Sequence, residues 1–217
     1  MDVASTRPKA RTALARILTP PILSYVVESA KVFAFSRQFL TYRHPAEIDY
    51  DPGMDQDTLI AAMEFSYGRL LGTLKTVEQS GQDTAKVLAW RPGPGRAHIG
   101  WQAMHCAATV DRYVNVRLRS ATPKDEPLVA HYCSGTNPSD ENIPTLAEIR
   151  RKLAETHADL LGYVRSLKPS DLSQIMELPN NVRRSVAESI ILLTWHEAHH
   201  QGQIHLTWNL YKQAHGL

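Results

Sequence analysis

The stretch Leu193-Thr194-Trp195-His196-Glu197-Ala198-His199-His200-Gln201-Gly202-Gln203-Ile204 decides how this chain is read. On an α-helix, residues four apart sit on one face, one above the other. Leu193, His196, His200, Ile204 and, further on, Tyr211 then form a single stripe. The stripe is apolar apart from its two imidazoles, so it should face a protein interior. Buried imidazoles need hydrogen-bond partners. One divalent ion shared by His196 and His200 satisfies both, because both rings can reach it at an ordinary Zn–N distance of about 2 Å. The chain has 10 histidines. His199 and His205 fall elsewhere around the same helix and read as surface or interface residues.

A third ligand has to come from another helix. His105 is the first candidate, since Trp101, His105, Ala108 and Arg112 share one stripe of a second helical segment. His98, one heptad earlier, is the fallback. Three histidines leave a coordination position open, which is the arrangement of catalytic rather than structural zinc sites.

Outward from this stretch, helical signals recur and strand signals are weak. A first bundle helix is expected over about 55–79, capped by Asp55 and ended near Gly81, with Leu59, Met63, Tyr67, Leu70, Leu74 and Val77 at helical spacing. The second runs from about His98 to Leu118. A long loop rich in Pro, Ser, Asp and Asn is expected from Ser120 to Pro144. The third helix opens on the capping box Thr145/Glu148 and closes at Lys168-Pro169-Ser170-Asp171. The fourth opens on the box Ser185/Glu188 and runs nearly to the C-terminus. Four amphipathic helices without strands argue an all-α, antiparallel four-helix bundle over 51–217. Residues 1–50 form an N-terminal extension with a helix expected at 22–42, apolar over a wide arc, followed by a linker at Asp51-Pro52-Gly53.

Composition narrows the function classes. Lys and Arg (24) nearly balance Asp and Glu (22), so there is no basic stripe to suggest a nucleic-acid partner. The segment Ile22 to Phe35 is interrupted by Glu28 and Lys31 and is too short and charged to span a bilayer. No secretory h-region is visible. The two cysteines, Cys106 and Cys133, form no CxxC; they fit a cytoplasmic protein, with Cys106 a small buried apolar residue and Cys133 a loop residue.

His196-Glu197-Ala198-His199-His200 also matches H-E-x-x-H, the zinc protease helix in which the Glu is general base. The rest of that pattern is missing. Gln203 and Leu206 stand where the longer form needs Gly and His, and only 17 residues follow His200, too few for the distant Glu ligand of the other form. Glu197 remains a weak catalytic candidate, placed beside the site or on the surface.

The run His196 to Ile204, with His, three residues, His, one residue and then Gly-Gln, resembles the C-terminal signature of the DinB/YfiT-like superfamily. Gly100-Trp101-Gln102-Ala103-Met104-His105 resembles its second-helix motif. Gly135-Thr136-Asn137-Pro138-Ser139-Asp140, followed by Pro144-Thr145 and a helix, is similar to its crossover. The resemblance covers about residues 55–215. It implies a four-helix bundle with a long crossover connection and a metal, usually zinc or nickel, on His105, His196 and His200. It also implies homodimers, and relatives that act through low-molecular-weight thiols, such as bacillithiol S-transferases and mycothiol-dependent isomerases.

Three functions follow as expectations. The first is a metal-dependent transferase that puts a thiolate on a small electrophilic substrate. The second is a hydrolase using a metal-bound water, with Glu197 as the nameable base. The third is a non-enzymatic metal-binding stress-response protein. Tyr67, Trp101, Arg112 and Tyr211 are candidate pocket residues.

Overall fold

Residues 55–217 are described by a computed structural model. The extension at 1–50, its helix expected at 22–42 and the linker at Asp51-Pro52-Gly53 lie outside them. Four long helices form the bundle: α1 (Gln56–Glu78), α3 (Ile99–Asp111), α5 (Leu146–Ser166) and α7 (Val186–His215). Shorter helices lie between them: α2 (Thr84–Ala89), α4 (Glu126–Tyr132) and α6 (Pro169–Leu172). None of the described helices is long and apolar enough to cross a membrane.

Local chemistry sets the helix ends. Asp55 Oδ1 accepts from Thr58 N at 2.7 Å, satisfying one of the unpaired donors of the first turn. Thr145/Glu148 and Ser185/Glu188 both form complete capping boxes. α7 stops at Gly216, whose φ of 69° places it in the left-handed region.

Hydrogen bonds give the helix directions. Ser66 Oγ donates to the Thr194 carbonyl at 3.2 Å, and Gln201 Nε2 donates to Thr73 Oγ1 at 2.9 Å, so α1 and α7 run parallel. Gln102 bonds Thr207 and Tyr113 bonds Ser189, so α3 opposes α7. Arg150 pairs with Glu78 while His157 meets Glu64, so α5 opposes α1. The bundle is thus two parallel pairs, α1/α7 and α3/α5, set antiparallel to each other. The crossover between α3 and α5 makes this possible, because it returns the chain to the end from which α3 began.

The sequence reading is corrected in three places and extended in a fourth, residues 84–89, which it left unassigned. The expected loop from Ser120 to Pro144 contains α4, capped by Asp125, whose Oδ1 accepts from Leu128 N at 2.9 Å. Residues 84–89 form α2, capped by Asp83. The second helix does not stay α-helical to Leu118: Arg112–Leu118 is π-helical. Strands do occur, as β1 (Ile175–Leu178) pairs antiparallel with β2 (Val182–Ser185), Ile175 opposite Ser185. Each strand has only 4 residues, too few to show a period of two in sequence.

The core is two apolar clusters stacked along the bundle. One gathers Leu70, Leu74, Ile99, Ala103, Ile149, Ile204 and Trp208; the other gathers Leu59, Met63, Val114, Leu160, Val164, Ile190 and Leu193. Buried polar groups, Ser66, Thr156 and Glu197, belong to neither cluster. Fully burying one Leu or Ile stabilises a fold by about 1.5–3 kcal/mol, so this core sets the frame on which the histidines are held.

Candidate metal centre

α3 and α7 bring His105, His196 and His200 together. Each offers one ring nitrogen, and these atoms lie within 4.8 Å of one another. His105 is only 5% exposed. Its Nδ1 lies 2.5 Å from the Tyr132 carbonyl oxygen. A carbonyl can only accept, so Nδ1 carries the proton and Nε2 is left with a bare lone pair. Metal-ligating histidines are usually held this way, by an outer partner that fixes tautomer and orientation. Tyr132 is the last residue of α4, where a helix leaves its carbonyls unpaired. α4 therefore delivers an unused acceptor to His105. Trp101, one turn before His105, stacks on its ring with centroids 4.7 Å apart and planes within 9°.

His105 Nε2 and His196 Nε2 are 3.1 Å apart. Two imidazole nitrogens on one tetrahedral zinc would be separated by about 3.3 Å. The Nδ1 of His200 is buried and, among the described residues, has no hydrogen-bond partner. Buried polar atoms are nearly always paired, and coordination would relieve this one. Burial and, next, the neighbouring His105 lower the pKa of His196 to about 4. Burial and then His196 lower that of His200 to about 3. Burial also lowers that of His105. All three rings are thus neutral near pH 7, the form that can donate to a metal. On donor type, tautomer and spacing, the residues present fit a divalent ion.

His98 is not a ligand in this arrangement. Its Nδ1 accepts from Trp101 N at 3.0 Å as the cap of α3, and its Nε2 bonds the Ser139 carbonyl at 3.0 Å. Both nitrogens are used. His199 is exposed, stacks on Trp195 and bonds Gln203; His205 is exposed too.

Glu197 is neither on the surface nor over the triad. It is 9% exposed and lines a small interior void with Met63, Cys106, Thr156 and His157, none of the three histidines among them. Burial raises its pKa to about 7 against a lowering contribution from Ser66. Of the other candidates, Trp101 is at the site. Arg112 lines a pocket of about 290 Å³ that His196 also lines. Tyr67 instead stacks on His157, with centroids 3.8 Å apart. Tyr211 packs among Trp90, Trp208 and His215.

Sequence reading missed the Tyr132 carbonyl, Tyr113, Arg117 and Cys133. A main-chain acceptor has no side-chain signature, although the Asp125 cap was a local sign of α4. Cys133, expected in a loop, is buried at the C-cap of α4 and lines the same pocket.

Fold and site together define a helical bundle with a histidine triad that could hold a metal ion. The chain belongs to the DinB superfamily, whose family model matches residues 62–204. Among solved structures, it is similar to a conserved protein from Enterococcus faecalis, at 15% identity and a TM-score of 0.54, over 71% of this chain and 95% of that one. That likeness concerns the fold. No curated protein matches the sequence significantly.

Proposed function

We propose that this chain holds one divalent ion, zinc or nickel, on His105, His196 and His200, and uses it to transfer a small thiol onto an electrophile. The observation that carries the reading is the fixed tautomer of His105. Its Nδ1 proton is committed to Tyr132, so its Nε2 lone pair is aimed at the other two rings. When bound, such an ion acts as a Lewis acid that favours the thiolate form of a thiol, the reactive nucleophile.

The chain's own residues would do the rest. His196 must move the Nε2 proton that it shares with His105 in the metal-free chain to its own Nδ1. Trp101 holds the His105 ring plane. The pocket beside His196 is large enough to admit a small molecule. In the overall reaction the thiol proton passes to water, a sulfur–carbon bond forms, and the bond from that carbon to its leaving group breaks. The hydrolase alternative is less well supported, because the only base named for it, Glu197, lines a different void.

Elemental analysis of the purified protein, beside a His196→Ala/His200→Ala variant, tests the metal. Consumption of 2-mercaptoethanol with 1-chloro-2,4-dinitrobenzene, followed by chloride release, tests the transfer. About one ion per chain, lost in the variant, with metal-dependent chloride release is the expected result. An ion held without any thiol consumption across several thiols would leave the metal-binding reading and remove the transferase.

A further inference from the structure

Beside His196 the pocket wall is unusually basic. Arg112 and Arg117 both line it, with Tyr113, Thr109 and Cys133, and no acidic residue does. Both arginines are half-buried, and among the described residues neither is paired with a carboxylate. Of the other described arginines without such a partner, Arg69, Arg96, Arg165 and Arg183 are exposed to water, and Arg184 is half-buried beside the Tyr113 hydroxyl. A half-buried guanidinium with no counter-charge forgoes part of its hydration and gains little in return.

The backbone places the two side chains together. In an α-helix of 3.6 residues per turn, residues five apart point to different faces. Arg112–Leu118 is π-helical, and i→i+5 bonding widens the turn to about 4.4 residues, so positions five apart lie only about 50° apart around the axis. Arg112 and Arg117 therefore fall on the same side. The nearest acid in sequence, Asp111, is spent elsewhere: its oxygens accept from Lys124 N, Asp125 N and Asn115 Nδ2, and it lines a different pocket. A third guanidinium, Arg184, donates to the Tyr113 hydroxyl at 3.1 Å and so orients a pocket-lining group. Planar forks of this kind match carboxylate and phosphate oxygens in two-point contacts.

We propose that this pocket is an anion subsite: Arg112 and Arg117 hold the carboxylate or phosphate group of a small molecule whose reactive atom lies at the histidine triad. The position of the reactive atom rests on the metal reading above; the guanidinium pair does not. The substrate or thiol is thus an organic anion, and neutral thiols of the same length are poor ligands.

Calorimetric titration of the zinc-loaded full chain with 3-mercaptopropionate and with 2-mercaptoethanol tests this. The anionic thiol should bind at least tenfold tighter, and Arg112→Gln or Arg117→Gln should remove that preference while leaving zinc content at wild-type level. Equal affinity of the two thiols for the wild type, or an undiminished preference in both variants, overturns the subsite. Succinate and inorganic phosphate titrated into metal-free protein form a separate arm and tell carboxylate from phosphate. Arginine-dependent binding there, in a chain that takes up no zinc, would uphold the subsite and sink the metal reading. No binding of either anion to such a chain would sink both. Far-UV circular dichroism shows whether each variant is folded; where a glutamine variant is not, the lysine variant replaces it, expected to lose most of the preference because it lacks the planar fork.

Discussion

His105 Nε2 lies 3.1 Å from His196 Nε2, and only one of them can carry a proton in that contact. His105 is excluded as the donor, since its proton sits on Nδ1 against the Tyr132 carbonyl. In the metal-free chain His196 therefore donates, and an ion takes the place of that proton. The neutral His196 ring keeps that proton by moving it to its own Nδ1, so metal uptake near neutral pH should release less than about one proton per chain. Calorimetry in two buffers of different ionisation enthalpy measures it. Release of more than about one proton per chain would mean that the rings are charged before the metal binds.

Zinc should raise the melting temperature of the full chain. A ligand present at a hundred times its Kd adds about 2.7 kcal/mol, which is roughly 5–10 °C for a domain of this size. His105→Ala, His196→Ala and His200→Ala should each lose most of that shift while melting within a few degrees of metal-free wild type. Differential scanning calorimetry with and without zinc reads both quantities. A shift that survives in all three variants would place the ion elsewhere.

The pH dependence of the metal-free chain combines two opposite signs. His196 and His200, lowered to about 4 and about 3, take up protons in the unfolded chain below its pKa near 6.5 but not in the folded one. They make the fold lose stability as pH falls below about 6.5. Glu197, raised to about 7, keeps a proton in the fold that the unfolded chain has released above about 4.5. It makes the fold lose stability as pH rises from about 4.5 through 7. Between about pH 4.5 and 6.5 two histidines oppose one carboxyl, so stability still falls on acidification, with the slope of a net one proton. Glu197→Gln removes one side: at pH 8 it should be more stable than wild type by about 3 kcal/mol, and its stability should fall more steeply on acidification. Urea unfolding at pH 5, 6.5 and 8 gives the comparison, and an unchanged or lower stability at pH 8 would show Glu197 ionised at no cost.

The i,i+4 pair and the two capping boxes were legible because each is a local relation within one helix. The third ligand was legible only as a choice between His98 and His105. What separated them is tertiary: the Ser139 carbonyl occupies His98 and the Tyr132 carbonyl orients His105, and neither acceptor leaves a mark in side-chain patterning. Arg117 was invisible for a different reason. Read at 3.6 residues per turn it leaves the stripe of His105 and Arg112, and only the π-helical stretch returns it. For Glu197 the surface alternative falls to its burial, which was not legible because helical spacing fixes its angle from His196 but not which helices close over it.

Asp111 ties the crossover to the site and supplies the last test. It is 2% exposed and accepts from the backbone N–H groups of Lys124 and Asp125, at 3.0 and 2.8 Å, just before α4 begins. Those bonds hold the N-terminal end of the helix whose far end presents the Tyr132 carbonyl. Asp111→Ala leaves two backbone donors without their acceptors, at a cost of about 3 kcal/mol, while Asn115 Nδ2 keeps the residue-111 carbonyl and Asp159 Oδ2. Because α4 then loses its anchor, His105 loses its fixed orientation as well, and zinc affinity should fall about tenfold or more, in the range seen when outer partners of metal ligands are removed. Asp111→Asn keeps one acceptor oxygen but turns its NH2 toward the other backbone N–H, so it should recover only part of both losses. Zinc titration against a competing chelator, alongside urea unfolding, separates the effects. A variant that loses stability but binds zinc as tightly as wild type would show that α4 supports the fold without orienting His105.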